Sequence, residues 1–131
     1  MIFVDTSALY VLLDADDADH SRVRTIWDKL KADRPVLCTT NYVAIETTVL
    51  CQRRLGLAAV STLTLDLLPA IRLLWVEDEA HATALSVLIT ANRRDLSLVD
   101  CVSFEVMRRL GIRQAFTLDE HFREQGFECV P

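Results

Sequence analysis

Lysine is almost absent from this chain: Lys29 and Lys31 stand against twelve arginines. Arginine is the better bidentate phosphate ligand, although a GC-rich coding sequence gives the same bias. The three glycines build no phosphate-cradling loop. There is no P-loop, no G-x-G-x-x-G, no G-x-S-x-G and no H-E-x-x-H, so nucleotide-binding, serine-hydrolase and zincin machinery are missing. The four cysteines (Cys38, Cys51, Cys101, Cys129) contain no C-x-x-C. His20, His81 and His121 do not stand at ligand spacing from any of them, which argues against zinc. Reduced, mostly buried thiols in a cytoplasmic protein are expected. No stretch approaches the roughly 18 uncharged apolar residues of a membrane span, and Asp5 interrupts the first apolar run before a signal-peptide core forms. The net charge of −5 argues against broad coating of DNA.

What is present is an alternation of strand and helix over 131 residues, expected to form one domain spanning residues 1–131. The apolar share of 51% fills a core and leaves room for a buried partner surface. Ile2 to Asp5 reads as a buried strand, followed by a helix over 7–13 capped by Thr6 or Ser7. Val23, Ile26, Trp27 and Leu30 recur at helical spacing, predicting a helix over 20–32 stopped by Pro35. Strands are expected over 36–39, 71–76, 113–117 and 127–130. Further helices are expected over 41–55, 57–68, 78–93 and 98–110, with a helical turn over 120–124. Gly56 and Gly111 serve as stops and Asp78 as a cap. This alternation predicts an α/β fold, a three-layer α/β/α sandwich around a mainly parallel sheet of about five strands. Such sheets bind ligands outside the carboxyl ends of their strands.

Four acids gather at that edge in this reading. Asp5 ends the first strand, where Thr6 and Ser7 already offer caps, so an acid adds little as a cap. Glu46 lies in an apolar helical run beside Val43, Val49 and Leu50, where an ionised carboxylate is costly unless it is paired, bound to metal or able to reach water. Pairing with Arg53 is the bland alternative. Asp100 fits a capping box, Ser97-x-x-Asp100, which explains it without any chemistry. Asp119 also reads as a helix start, Asp95 as a turn residue or cap, and His121 as a surface histidine able to position a phosphate. Together the four acids would repel and raise one another's pKa values. Hard cations such as Mg²⁺ or Mn²⁺ relieve that repulsion, activate a water and stabilise the leaving oxygen of a phosphodiester.

Four segments in this order resemble the PIN domain family: Ile-Phe-Val-Asp5-Thr6-Ser7-Ala, Thr-Asn-Tyr-Val-Ala-Ile-Glu46, Leu-Ser-Leu-Val-Asp100, and Ala-Phe-Thr117-Leu-Asp119-Glu-His-Phe. Compact chains of this kind look like VapC-type toxins of bacterial toxin–antitoxin pairs. The resemblance implies a Mg²⁺- or Mn²⁺-dependent endoribonuclease acting on RNA. Asp5, Glu46, Asp100 and Asp119 would be the metal-binding and catalytic acids. Thr6 and Thr117 would be hydroxyls that orient water or a carboxylate. It also implies a homodimer held by a cognate antitoxin, whose C-terminal segment wraps the toxin and inserts a basic side chain among the acids. The amphipathic helices between His20 and Leu68 are the expected groove.

Three rivals remain at this level. Phosphoryl transfer through an aspartyl phosphate at Asp5 lacks both an Asp-x-Asp and a late lysine. A non-catalytic PIN-like binding or assembly module is disfavoured by the presence of all four acids. A structure-specific DNA nuclease would carry long insertions that clamp a duplex, and this chain has no room for one.

Overall fold

The structure, a computed structural model, describes residues 1–131. Its strands are β1 (Ile2–Val4), β2 (Leu37–Thr40), β3 (Arg72–Leu74), β4 (Gln114–Phe116) and β5 (Glu128–Val130). Its helices are α1 (Thr6–Leu13), α2 (His20–Asp33), α3 (Asn41–Arg54), α4 (Leu57–Thr62), α5 (Asp78–Ala91), α6 (Leu98–Leu110) and α7 (Glu120–Glu124). The strands form one sheet in the order β3-β2-β1-β4-β5, and every pairing is parallel. Parallel neighbours need long crossovers, and each crossover here carries at least one helix.

The central strands are short but buried on both sides: every residue of β1 and β2 is buried, while β3 and β5 at the edges have no buried residue. Register and side-chain alternation explain this. Phe3 pairs with Ala115, and Val4 with Phe116, so Phe3 and Phe116 point to opposite faces. Phe3 meets Phe122 of α7, which meets Phe104 of α6 edge-on with ring centroids 4.9 Å apart. On the other face Phe116 stacks with Trp27 of α2. These two aromatic clusters join helices to both faces and make the expected α/β/α sandwich. Phe122 is fully buried, and truncating it to alanine would cost about 3–5 kcal/mol.

Several boundaries move for identifiable reasons. Pro69 cannot continue the helix expected over 57–68. The chain after α4 widens into a π turn over Leu63–Leu67, with the Leu68 N–H bonded back to the Leu63 carbonyl, then tightens into a 3₁₀ turn over Leu68–Ala70. The strand expected over 71–76 shortens because its partner β2 ends at Thr40, opposite Leu74. Beyond it the Val76 N–H turns to the Asn41 side chain at 2.8 Å. Thr40 caps α3, accepting from the Val43 N–H. Asp78 is not a cap: Glu77 holds that position without a side-chain hydrogen bond, and Asp78 lies in the first turn. α5 ends at Ala91 rather than Arg93, with Asn92 left-handed. Gly111 closes α6 in the left-handed region at φ 68°. No disulfide forms. Cys38, Cys51 and Cys101 are buried, and burial pushes the Cys38 thiol up to about 11.

The strand order reverses beside β1. The chain steps from β1 to β2 to β3, then crosses back through α5 and α6 to β4 on the other side of β1. A crevice opens outside the carboxyl ends of β1 and β4, where the chain leaves the sheet in opposite directions.

Candidate metal centre

Asp5 follows β1 directly, and Thr117 to Asp119 follow β4, so both face this crevice. The backbone fixes their relation: the Asp5 N–H bonds to the Phe116 carbonyl at 3.1 Å and the Thr117 N–H to the Val130 carbonyl at 3.0 Å. Asp5 is only 4% exposed. It is the N-cap of α1, contrary to the reading that gave this role to Thr6 or Ser7. Val4 is the last residue of the strand, so the extended residue at the helix entrance is Asp5. Its Oδ2 accepts from the Ser7 N–H (3.2 Å), the Ser7 hydroxyl (2.7 Å) and the Thr117 hydroxyl (3.1 Å). Those hydroxyls in turn accept from the Leu118 N–H and the Asp119 N–H. Ser7 and Thr117 thus tie the end of β1 to the loop after β4. Ser7 was read from the sequence only as a cap, and nothing local revealed its second partner 111 residues away.

Glu46 lies on α3, which leaves β2 just past Thr40. It is half-buried and forms no ion pair with Arg53; Val43 beside it is buried, whereas Val49 is exposed, so the apolar surroundings are one-sided. Thr6, buried at the start of α1, faces Glu46 and accepts from the Thr47 hydroxyl at 3.1 Å. Asp100 occupies the capping box foreseen for it: its Oδ2 accepts from the Ser97 N–H, and the Ser97 hydroxyl accepts from the Asp100 N–H. Asp119 caps α7 through Oδ1, which accepts from the His121 N–H at 2.9 Å.

The acids feel one another. Burial pushes the Asp5 carboxyl from 3.8 up to about 6, opposed by the Ser7 and Thr117 hydrogen bonds and aided by the charge of Asp100. Burial also raises Glu46, whose partial relief by Thr6 is countered by the charges of Asp100 and Asp119. Asp100 is raised by burial and by Asp119, against its hydrogen bonds to Ser97. The N-terminal ends of α1 and α6 supply positive ends of helix dipoles to Asp5 and Asp100.

His121 adds a nitrogen to this group. Its side chain is 17% exposed, and Nε2 meets Asp95 Oδ2 at 3.1 Å. Asp95 is held from its other side by Arg93 at 2.7 Å, which keeps its carboxyl well below the usual range. One ligand atom each from Asp100, Asp119 and His121 lies within 4.8 Å of the others.

Each aspartate spends one oxygen locally and keeps the other. Protein donors engage Oδ2 of Asp5, Oδ2 of Asp100 and Oδ1 of Asp119, and none engages the second oxygen of any of the three. The capping role and a ligand role are therefore compatible within one side chain. An oxygen-rich set of this kind fits Mg²⁺ or Mn²⁺ and does not fit thiol-seeking metals.

A parallel sheet that gathers acids at its switch point, with no competing catalytic machinery, has the architecture of a small nuclease domain. The chain belongs to the PIN domain family, whose model matches residues 2–128. It is similar to the 23S rRNA-specific endonuclease VapC20 of Mycobacterium tuberculosis, 38% identical over 128 residues that cover 97% of this chain and 95% of that protein. The crystal structure of VapC20, described as a toxin that cleaves the sarcin–ricin loop, superposes with a TM-score of 0.83 at 36% identity, covering 97% of this chain and 96% of that one. FitAcB from Neisseria gonorrhoeae shares the fold, with a TM-score of 0.73 at 16% identity over 100% of this chain and 97% of that one.

Proposed function

We propose that this chain is a single PIN domain acting as a metal-dependent endoribonuclease, the toxin of a toxin–antitoxin pair, and that its substrate is an exposed loop of large-subunit ribosomal RNA. The observation that carries the reading is the free oxygen left on each of Asp5, Asp100 and Asp119, with Glu46 within reach of the charges of Asp100 and Asp119. Those four carboxylates would hold the Mg²⁺ or Mn²⁺. The bound cation supplies an activated water and charge stabilisation at the phosphodiester.

The rest is work for the chain itself. Ser7 and Thr117 lock the Asp5 carboxyl in one orientation, so its free oxygen is presented at fixed geometry. Thr6 faces Glu46 and eases the burial of its carboxyl. Beside Asp119 a cleft is lined by Arg22, Glu120 and Arg123 as well as Thr117. The ion pairs of those arginines, to Asp19 and Glu120, are exposed and weak, so a backbone phosphate can take their place. The choice of ribosomal RNA rests on the likeness to VapC20 across nearly the whole chain.

The partners follow from two surfaces. A groove lined by Tyr42, Ile45, Val49, Leu50 and Val99 leads to Glu46 and Arg53. An antitoxin segment lying there would reach the acids with a basic side chain. The outer side of α3 continues into a second apolar hollow with Leu73 and Trp75. Ile45 is 61% and Trp75 71% exposed, and an apolar face of this kind suits a second copy of the chain. Of the helices between His20 and Leu68, α2 does not contribute, because Val23, Trp27 and Leu30 are buried in the core.

The test is incubation of the antitoxin-free protein with ribosomes, total RNA and single-stranded DNA in Mg²⁺ or Mn²⁺. Parallel samples contain EDTA or the Asp5→Asn variant. A discrete cut in large-subunit RNA, located by end-mapping and absent from both controls, is expected. Cutting of DNA alone would overturn the substrate, and cutting that persists in EDTA would overturn the metal.

A further inference from the structure

We infer that His121 is a fifth ligand of the metal centre, binding through Nδ1, and that it biases the site toward Mn²⁺ over Mg²⁺. This rests on the metal-centre reading above and adds a residue type that an all-carboxylate site lacks. Nδ1 of His121 is the one buried side-chain polar atom of the protein without a hydrogen-bond partner. It lies 2.9 Å from Asp119 Oδ1, but the angles do not make a hydrogen bond, and that oxygen is already engaged by the His121 N–H. A buried polar atom left unpaired is costly and calls for an occupant.

The far side of the ring explains why this nitrogen is free. Asp95 Oδ2 accepts from Nε2–H, and Arg93 fixes Asp95 through two contacts, Nε to Oδ1 at 3.1 Å and Nη2 to Oδ2 at 2.7 Å. With the proton on Nε2, Nδ1 keeps its lone pair, and one ligand atom each of His121, Asp100 and Asp119 lies within 4.8 Å of the others. Carboxylate–histidine–metal arrangements orient an imidazole in this way and strengthen it as a donor. The other two histidines are engaged: His20 Nδ1 meets the Val11 carbonyl at 2.8 Å, and His81 Nδ1 meets the Tyr42 hydroxyl. Imidazole suits transition metals, whereas Mg²⁺ prefers oxygen, so a nitrogen here favours Mn²⁺.

Pulsed EPR of the Mn²⁺-loaded protein tests this without reference to catalysis. A directly bound imidazole nitrogen couples to the manganese electron spin. Selective ¹⁵N-histidine labelling of the unaltered chain identifies that nitrogen as histidine's, so a folding defect in a variant cannot obscure the result. The expected result is a histidine-nitrogen coupling that His121→Asn removes. The variant should bind Mn²⁺ at least about 10-fold more weakly, since losing even a partner that orients a ligand costs about 10–100-fold, and change its Mg²⁺ affinity little. Asp95→Asn should keep the coupling and weaken Mn²⁺ by a smaller factor. Mn²⁺ binding with no histidine coupling would overturn the inference and leave the carboxylate site standing. Failure of the unaltered protein to bind Mn²⁺ would overturn both.

Discussion

Asp5 shows how one side chain is stressed for use. Its carboxyl is raised from 3.8 to about 6 because burial outweighs three hydrogen bonds. A group that binds its proton more tightly when folded stabilises the fold at low pH, and that stability is lost as pH rises through the folded pKa. The metal-free protein should therefore melt at progressively lower temperature as pH goes from about 4 to about 7, the Asp5 shift alone being worth on the order of 3 kcal/mol. His121, raised by its hydrogen bond to Asp95, acts in the same direction. Calorimetry in EDTA checks this, and saturating Mn²⁺ should remove the decline; a melting temperature that rises over this range in EDTA would contradict the desolvation of Asp5. Asp5→Asn should flatten the profile, raise metal-free stability at pH 7 and lower RNA cleavage at least about 100-fold. Asp5 and Glu46 were legible in the sequence because a charge at the end of an apolar strand or within an apolar helical run needs a reason. His121 was not, because the partner that orients it, Asp95, is 26 positions away.

Helix ends carry the site at the scale of elements, since Asp5, Asp100 and Asp119 all serve local caps. Cap and chemistry separate by mutation in α6. Ser97→Ala should lower stability by about 1 kcal/mol and leave most of the cleavage activity. Asp100→Asn keeps an acceptor for the Ser97 N–H, so it should stay close to the unaltered stability in EDTA and lose cleavage. Paired denaturation and cleavage assays decide; equal losses of activity in both variants would mean that Asp100 acts only through the cap. A stability gain is available at the end of α2, where Arg34 adopts a left-handed φ of 54° before Pro35. Arg34→Gly should stabilise by up to about 1 kcal/mol in urea unfolding. Helix existence and order were readable from the spacing of apolar residues. The capping residues were misassigned at Asp5 and Asp78 because several adjacent polar side chains qualify, and only the exit of the strand or the register of its partner selects among them. The π and 3₁₀ turns before β3 were hidden for the same reason: Pro69 announces a break but not how the chain rearranges around it.

The whole molecule joins a sheet whose strand order reverses beside β1 to two outward surfaces. Repetition of strand and helix made the parallel sheet legible, but the order β3-β2-β1-β4-β5, which sets β1 beside β4, was not in the pattern. That order is what sets Asp5 against the loop carrying Thr117 and Asp119, from opposite ends of the chain. The exposed Ile45, Leu73 and Trp75 belong to this scale as well. If this face joins two copies, Ile45→Asp should convert a dimer to a monomer in sedimentation velocity without lowering the melting temperature; an unchanged dimer would place the interface elsewhere. The central claim is that the acids at the switch point hold a divalent cation. Crystals soaked in Mn²⁺ and measured for anomalous scattering test it most directly. A peak bounded by oxygens of Asp5, Glu46, Asp100 and Asp119, and absent from Asp5→Asn crystals, is the predicted result. A map with no peak there, in crystals of protein shown to be folded, would contradict it.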